Sequence, residues 1–147
     1  MAQLPTEHDF DPYGGDLDAQ WAWKNFGGVS IDSATRMFRE KPEWYQEDFM
    51  SMGGIAFAYY FPVVETYLLE TPETYGGDDR CVWILAHCIR NQFQMKTKSY
   101  VLPLLPRIQS LIQFVRKNVG CFEDEESGQA RIIDAWTELE AEILLHQ

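Results

Sequence analysis

The stretch from Trp44 to Glu70 reads WYQEDFMSMGGIAFAYYFPVVETYLLE, and it is the most aromatic part of the chain. The pair Gly53-Gly54 separates its short acidic half from its long apolar half. An apolar run of this length cannot be assigned by periodicity alone, but helical spacing continues past Pro62. Proline removes one backbone amide and crowds the preceding turn, so a kink, or two helices meeting, is expected there. Because the run is apolar on nearly every side, we predict a central, buried helix kinked at Pro62.

Apolar residues recur at helical spacing on both sides of this stretch. Eight of the ten glycines occur as pairs, which weaken any helix that crosses them and so divide the chain into short elements. We therefore predict an all-α fold in which residues 1–147 form a single-domain, irregular orthogonal bundle of about six or seven helices. Residues 1–16 carry two prolines and a glycine pair, and we expect them to be extended or a loop. The predicted helices are residues 17–26, 31–40, 42–52, 54–70, 79–95 and 103–119, with a last helix after Ser127.

Charged residues are distributed unevenly along the chain, whose formal net charge is −11. Residues 1–79 carry fifteen acids and four bases, residues 80–122 carry seven bases and no acid, and residues 123–147 carry eight acids and one base. A basic centre of net +7 therefore lies between two acidic arms of −11 and −7. One interpretation is that the arms pair with the centre inside the molecule. The other is that exposed acids meet a basic partner.

The composition disfavours several classes of protein. No stretch reaches the about 18 uninterrupted apolar residues of a membrane span, and the N-terminus lacks the pattern of a signal peptide. The three cysteines include no CxxC motif, which is typical of reduced, buried thiols. The acidic arms would repel phosphate, which disfavours nucleic-acid binding. We expect a cytoplasmic protein that binds neither membranes nor nucleic acid.

The sequence contains no motif that specifies a catalytic site. GxSxG, HExxH and glycine-rich phosphate loops are all missing from it. A calcium loop that starts at Asp9 would place Gly14 correctly at position 6. Tyr13 would then occupy position 5 and Gln20 position 12, which is a bidentate Glu in a calcium loop. Neither residue is the ligand that its position requires. We therefore predict no catalytic residues, no cofactor and no bound metal.

One face of the helix predicted over residues 79–95 mixes an aromatic ring, an imidazole and a guanidinium. Trp83, His87, Arg90 and Gln94 follow the spacing i, i+4, i+7 and i+11, opposite the apolar face. Such residues are enriched in recognition surfaces, so this face is a candidate for partner binding. The alternative is that a neighbouring helix covers Trp83 while the other side chains touch solvent or acids.

Acidic side chains beside aromatic residues form a second candidate. They lie off the apolar faces of their predicted helices, either as an ordinary solvated surface or as a contact for a basic partner. Trp21 and Trp23 cannot share one face of a helix, so one is expected in the core and the other at the surface. The candidate residues of this second group are Glu43, Trp44, Glu47, Asp48, Glu138 and Glu142.

Three functions from different classes fit these patterns. The first is a small acidic, cytoplasmic protein-interaction module, such as an inhibitor or immunity-type protein that neutralises a basic partner. The second is a small enzyme or ligand-binding protein with a pocket beside the Pro62 kink, lined by Tyr59, Tyr60, His87 and Arg90. The third is a self-associating structural subunit, for which a homodimer is the simplest form.

Overall fold

The computed structural model describes residues 3–74 and 81–147, with the backbone alone at residues 71–74 and 81. Most of this part of the chain is helical and none of it forms a strand, so the prediction of an all-α fold is confirmed. Six of the described helices have ten or more residues, and two short 3-10 helices cover Lys98–Tyr100 and Leu102–Leu104. The α-helices are α1 (Glu7–Phe10), α2 (Leu17–Phe26), α3 (Ile31–Glu40), α4 (Pro42–Tyr45), α5 (Asp48–Ser51), α6 (Gly54–Thr74), α7 (Cys81–Gln92), α8 (Leu105–Lys117), α9 (Val119–Phe122) and α10 (Glu126–Leu144).

The N-terminal segment contains one helical turn that its composition did not predict. Residues 3–6 and 11–16 are non-helical, as expected, but α1 lies between them. The Thr6 hydroxyl accepts the Asp9 amide, and the Asp9 carboxylate accepts the Thr6 amide at 2.8 Å, which closes a capping box. Phe10 is fully buried, with its ring 5.4 Å from that of Trp23. The cap and this tertiary contact together stabilise a turn that is too short to form alone.

The helix predicted over residues 42–52 is divided into α4 and α5. Phe49 and Met52 are fully buried, as their spacing predicted. The side-chain amide of the fully buried Gln92 donates to the Phe49 carbonyl at 2.9 Å and to the Met52 carbonyl at 2.8 Å. These bonds satisfy carbonyls at the end of α5 that would otherwise be buried without partners.

The central helix α6 runs without interruption across Pro62, so the alternative of two helices meeting there is wrong. A kink that leaves the helix continuous stays a prediction. Phe61, Val63 and Val64 flank the proline and are fully buried. Proline inside a helix costs about 3 kcal/mol or more, whereas each buried side chain of this size contributes about 1.5 to 3 kcal/mol. Packing therefore outweighs the local cost of the proline.

The boundaries of the other helices are partly as predicted. The Asp16 and Ser30 side chains cap α2 and α3 by accepting amides at 3.0 and 3.2 Å. Gly120 does not end a helix, because α8 already ends at Lys117 and Gly120 lies within α9. Ser127 lies inside α10 and does not cap it.

The segment between α6 and α7 was predicted to be a loop over residues 71–79. The first part of that prediction is wrong, because residues 71–74 form the helical end of α6. The predicted caps Asp78 and Asp79, and the pair Gly76-Gly77, lie outside the described residues. Within the described ranges, no helix has the length and apolar character needed to cross a membrane.

The C-terminal helix α10 packs on α7 and α8 and completes the core. Most of its predicted apolar stripe is buried, with Trp136 fully inaccessible to solvent, but Ile133 is 37% exposed. The Trp136 indole nitrogen donates to the Val82 carbonyl at 2.8 Å, which joins α10 to the first turn of α7. This contact brings the acidic C-terminal arm against the basic centre. The orthogonal arrangement of the bundle stays a prediction.

Candidate functional site

The predicted recognition face of α7 is turned toward α10. The Trp83 and His87 rings meet edge to face at 5.6 Å, and both side chains are half-buried. The Arg131 guanidinium lies 5.0 Å from the centre of the Trp83 ring. The neighbouring helix α10 therefore covers part of this face, which is the alternative that the spacing left open.

The same face continues as a network of polar contacts with the end of α10. Arg90 lies 3.6 Å from carboxylate oxygens of both Glu138 and Glu142. Gln94 donates to Glu142 at 2.9 Å, and the His146 ring nitrogen lies 3.0 Å from the other Glu142 oxygen. The hydrogen bond from Gln94, and then that of His146, lowers the pKa of Glu142 below its ordinary value. With 11% of its side chain exposed, Glu142 holds α10 on α7, which corrects its expected placement toward solvent.

A groove of about 530 Å³ opens between α7 and α10. Its walls combine the Trp83 and His87 rings with charged groups of both signs. Polar groups of this variety can bind a small molecule or a peptide, but none of them is deeply buried. The groove is lined by Trp83, His87, Ser127, Ala130, Arg131, Asp134, Ala135 and Glu138.

The pair Tyr59 and Tyr60 lies in a different environment from His87 and Arg90. The Tyr60 hydroxyl lies 2.8 Å from the Phe26 carbonyl oxygen and 2.6 Å from that of Val29, to which it donates. Burial raises the pKa of Tyr60 to about 12, so this hydroxyl stays protonated and structural. Tyr59 contacts the Tyr60 ring at 4.9 Å. Tyr60 thus holds the end of α2, while His87 and Arg90 face α10.

Arginines of the basic centre pair with carboxylates of both acidic arms. The Arg107 Nε atom donates to Glu65 at 3.1 Å, and the Arg116 guanidinium makes two parallel bonds to Glu140 at 2.9 and 2.8 Å. The Arg116 hydrogen bonds hold the pKa of Glu140 below its ordinary value. Together with Arg90, these pairs support the interpretation that part of the charge is neutralised inside the molecule.

The Trp44 region keeps an exposed surface on α4 and at the start of α5. Trp44 is 65% exposed, and Glu43 and Glu47 are exposed beside it. The Lys41 ammonium lies 4.1 Å from the centre of the Trp44 ring, within the range of a cation–π interaction. This part of the predicted partner-binding surface is therefore accessible.

Asp48 does not belong to that exposed surface. It is 6% exposed, and its carboxylate accepts a hydrogen bond from the Asn25 amide at 2.8 Å. Burial, above all, raises the pKa of Asp48 to about 6, and the charges of Glu47 and Asp18 add to that rise. The expectation that Asp48 faces solvent is corrected, because the break between α4 and α5 turns its side chain toward α2.

A second exposed tryptophan lies on α2, where sequence reasoning left the choice between Trp21 and Trp23 open. Trp21 is 59% exposed, whereas Trp23 packs on Phe10. Leu17, four residues before Trp21, is 85% exposed. The Lys24 ammonium lies 5.2 Å from the centre of the Trp21 ring. The spacing of Leu17 and Trp21, off the face of the buried alanines of α2, was the signal that could have identified this surface.

We name these exposed groups the acidic-aromatic face. The name covers two tryptophans and the carboxylates near them on α2, α4 and the turn before α5. Its members are Asp18, Trp21, Glu43, Trp44 and Glu47.

Cys88 is the one described cysteine near this region, and it is buried beneath it. Its thiol lies 3.3 Å from the Gln46 carbonyl, and burial raises its pKa to about 12. A thiol protonated so strongly is a poor nucleophile.

Among residues 3–74 and 81–147, no group of three or more His, Cys, Asp or Glu side chains has a metal-binding arrangement. Comparisons of the chain with protein-family models, curated proteins and solved structures find no match.

Proposed function

We propose that the chain is a small cytoplasmic protein-interaction module that binds a basic partner protein, in the manner of an inhibitor or immunity-type protein. The observation that carries this proposal is the acidic-aromatic face. Trp44 is exposed there between two exposed acids, Glu43 and Glu47. Exposed tryptophans are uncommon on a surface that touches only water, and they are enriched among the residues that dominate binding energy.

The charge on this face supports a basic partner. No Lys, Arg or His of the described residues lies within salt-bridge distance of Asp18, Glu43 or Glu47. The Arg90, Arg107 and Arg116 pairs lie on other faces, so internal pairing leaves this negative charge in place. Lys24 and Lys41 lie over the two tryptophans of this face, so three carboxylates accompany two ammonium groups and the net charge is negative. A surface of net negative charge accelerates association with a basic partner.

The other candidate functions have weaker support. A pocket shared by Tyr59, Tyr60, His87 and Arg90 is disfavoured, because Tyr60 bonds to the end of α2 and Tyr59 packs on Tyr60, while the other two side chains face α10. The groove at Trp83 and His87 is the better location for a ligand, although its charged groups already contact one another. Self-association as a homodimer stays a prediction, as does the lack of binding to nucleic acid and membranes.

The proposal is tested by the kinetics of binding to the protein that co-purifies from the native host. We expect the association rate to fall at least tenfold between 0.1 M and 1 M salt, because the Debye length falls from about 10 Å to about 3 Å. The Glu43→Lys/Glu47→Lys variant should slow association far more than it speeds dissociation.

The matched control is Asp124→Lys/Glu125→Lys, which makes the same change of charge at two exposed acids near the start of α10. It should slow association only slightly, through the change in net charge. An association rate independent of salt, an acidic partner, or equal effects of the two variants would refute the proposal.

A further inference from the structure

Each exposed tryptophan of the acidic-aromatic face has a lysine of this chain over its ring. The ammonium nitrogens lie 5.2 Å from the centre of Trp21, for Lys24, and 4.1 Å from the centre of Trp44, for Lys41. Tryptophan presents the aromatic face that attracts cations most strongly. Both rings thus lie in positions where a cation is favourable, and the chain itself supplies one to each.

Trp21 and Trp44 belong to α2 and α4, which meet where the Phe26 and Tyr45 rings lie 5.5 Å apart. Trp21 shares a face of α2 with Asp18 and Asn25, which lie three residues before and four residues after it. Asn25 donates to Asp48 at 2.8 Å and so joins this face to α5, the helix that follows α4 and its Trp44. Asp18 lies one helical turn before Trp21, and Glu43 and Glu47 lie one residue before and three residues after Trp44, and none of these carboxylates pairs with Lys24 or Lys41.

We propose that this face binds an arginine-rich segment of the partner protein, whose guanidinium groups take the places over Trp21 and Trp44 that Lys24 and Lys41 occupy in the free protein. The proposal rests on the proposed function and adds the chemistry of the partner. The lysines are exposed, flexible and free of carboxylate partners within the described residues, so little holds them in place.

Arginine fits this face better than lysine for a geometric reason. A guanidinium is planar, so it can stack on an indole while its edge donates two hydrogen bonds to a carboxylate. An ammonium group is compact and strongly hydrated and cannot do both. Glu43 and Glu47 near Trp44, and Asp18 near Trp21, are the acceptors that such an edge would meet. The same carboxylates would repel a phosphate backbone or an anionic membrane.

The test uses fluorescein-labelled hexa-arginine and hexalysine peptides, with anisotropy measured at 0.05 M and 0.5 M salt. Hexa-arginine should bind several-fold more tightly than hexalysine. The Trp21→Leu/Trp44→Leu variant keeps every charge and should weaken hexa-arginine binding about tenfold, as expected for two cation–π contacts. The control Tyr100→Leu, which removes an exposed ring elsewhere, should leave binding unchanged.

A second pair of variants examines the two lysines. Lys24→Met/Lys41→Met frees both rings. The control Lys98→Met/Lys117→Met removes equal charge at exposed sites elsewhere. The affinity of the first variant for hexa-arginine should be about three times that of the control. The inference would be overturned if Trp21→Leu/Trp44→Leu bound hexa-arginine as tightly as the wild type while Glu43→Gln/Glu47→Gln bound it more weakly. That result would leave the proposed function intact. Wild-type protein that does not bind hexa-arginine at low salt would also overturn the inference, whereas the salt series with the native partner tests the proposed function separately.

Discussion

Asp48 illustrates how one side chain changes meaning when the chain folds. The spacing of the apolar residues around it placed its side chain off the buried face of its helix, so exposure to solvent was expected. In the structure Asn25 supplies a hydrogen bond to the carboxylate, and the surrounding helices exclude water from most of it. A single hydrogen bond does not replace full hydration, so folding raises the pKa of Asp48 above its ordinary value.

The first prediction concerns the pH dependence of stability at this residue. The pKa of Asp48 rises from its ordinary value of 3.8 to about 6 on folding. The protonated form therefore stabilises the fold below pH about 4, and this contribution is lost as the pH rises through 6. Relative to Asp48→Asn, which keeps an acceptor for Asn25 and does not ionise, the wild-type protein should lose up to about 3 kcal/mol of unfolding free energy between pH 4 and pH 7.

Urea unfolding of both proteins across this pH range measures that difference, and the loss should be centred between pH 4 and pH 6. Asp124→Asn, at an exposed acid, is the control and should track the wild type. Parallel stability curves for Asp48→Asn and the wild type would show that Asp48 is hydrated in the folded protein.

At the scale of elements, the pair Gly53-Gly54 decides how three segments meet. The Gly53 amide donates to the Phe10 carbonyl at 2.8 Å, and the Gly54 amide donates to the Thr97 hydroxyl at 2.9 Å. Neither glycine adopts a left-handed conformation. A Cβ on Gly53 would collide with the Asp9 carbonyl oxygen, and one on Gly54 with that of Thr97. Glycine is therefore required at both positions, because the Asp9 and Thr97 carbonyl groups lie close to the backbone at the start of α6.

The second of these collisions predicts a destabilising substitution. Gly54→Ala should lower the unfolding free energy by about 1 to 3 kcal/mol, because the obstructing atom is a backbone oxygen that moves only with its segment. Gly120→Ala is the matched control, since a Cβ there meets no atom closer than 4.0 Å and alanine favours helix. Its stability should be unchanged or higher. Chemical denaturation of the two variants beside the wild type makes the comparison, and equal stabilities would contradict the close approach.

At the scale of the whole molecule, contacts join the N-terminal helix to the central helix and the C-terminal helix to α7. Phe10 of α1 packs on Tyr60 of α6, and Trp136 of α10 bonds to α7. The pairing of Arg107 with Glu65 adds a contact between α8 and α6. The buried residues of these helices form one cluster, and the single domain stays a prediction.

A single domain of this size should unfold in one cooperative step. In urea, far-UV circular dichroism and tryptophan fluorescence should report the same midpoint and the same slope, because Trp23 and Trp136 lie at distant points of one core. Two separated transitions would instead indicate two folding units, and Trp136→Phe would then shift only the one that contains α10.

Local patterns in the sequence determined which segments are helical and which side chains are buried. The spacing of apolar residues identified most of the buried residues of α6, α8 and α10, and Ser30 marked the start of α3. The cap of α2 was left between Asp16 and Asp18, and the structure assigns it to Asp16. These signals are readable because helical hydrogen bonds and caps join residues no more than four positions apart. The sequence also limited the candidate site to a few aromatic and acidic residues.

Only the tertiary structure decided which of those candidates are accessible. Asp48 is covered by α2, Glu142 is engaged by α7, and Trp21 and Trp44 remain exposed beside their lysines. Asn25 and Asp48 are separated by 23 positions, and Gln94 and Glu142 by 48. No periodicity encodes such pairs, because they depend on how whole helices pack and not on the order of neighbouring residues.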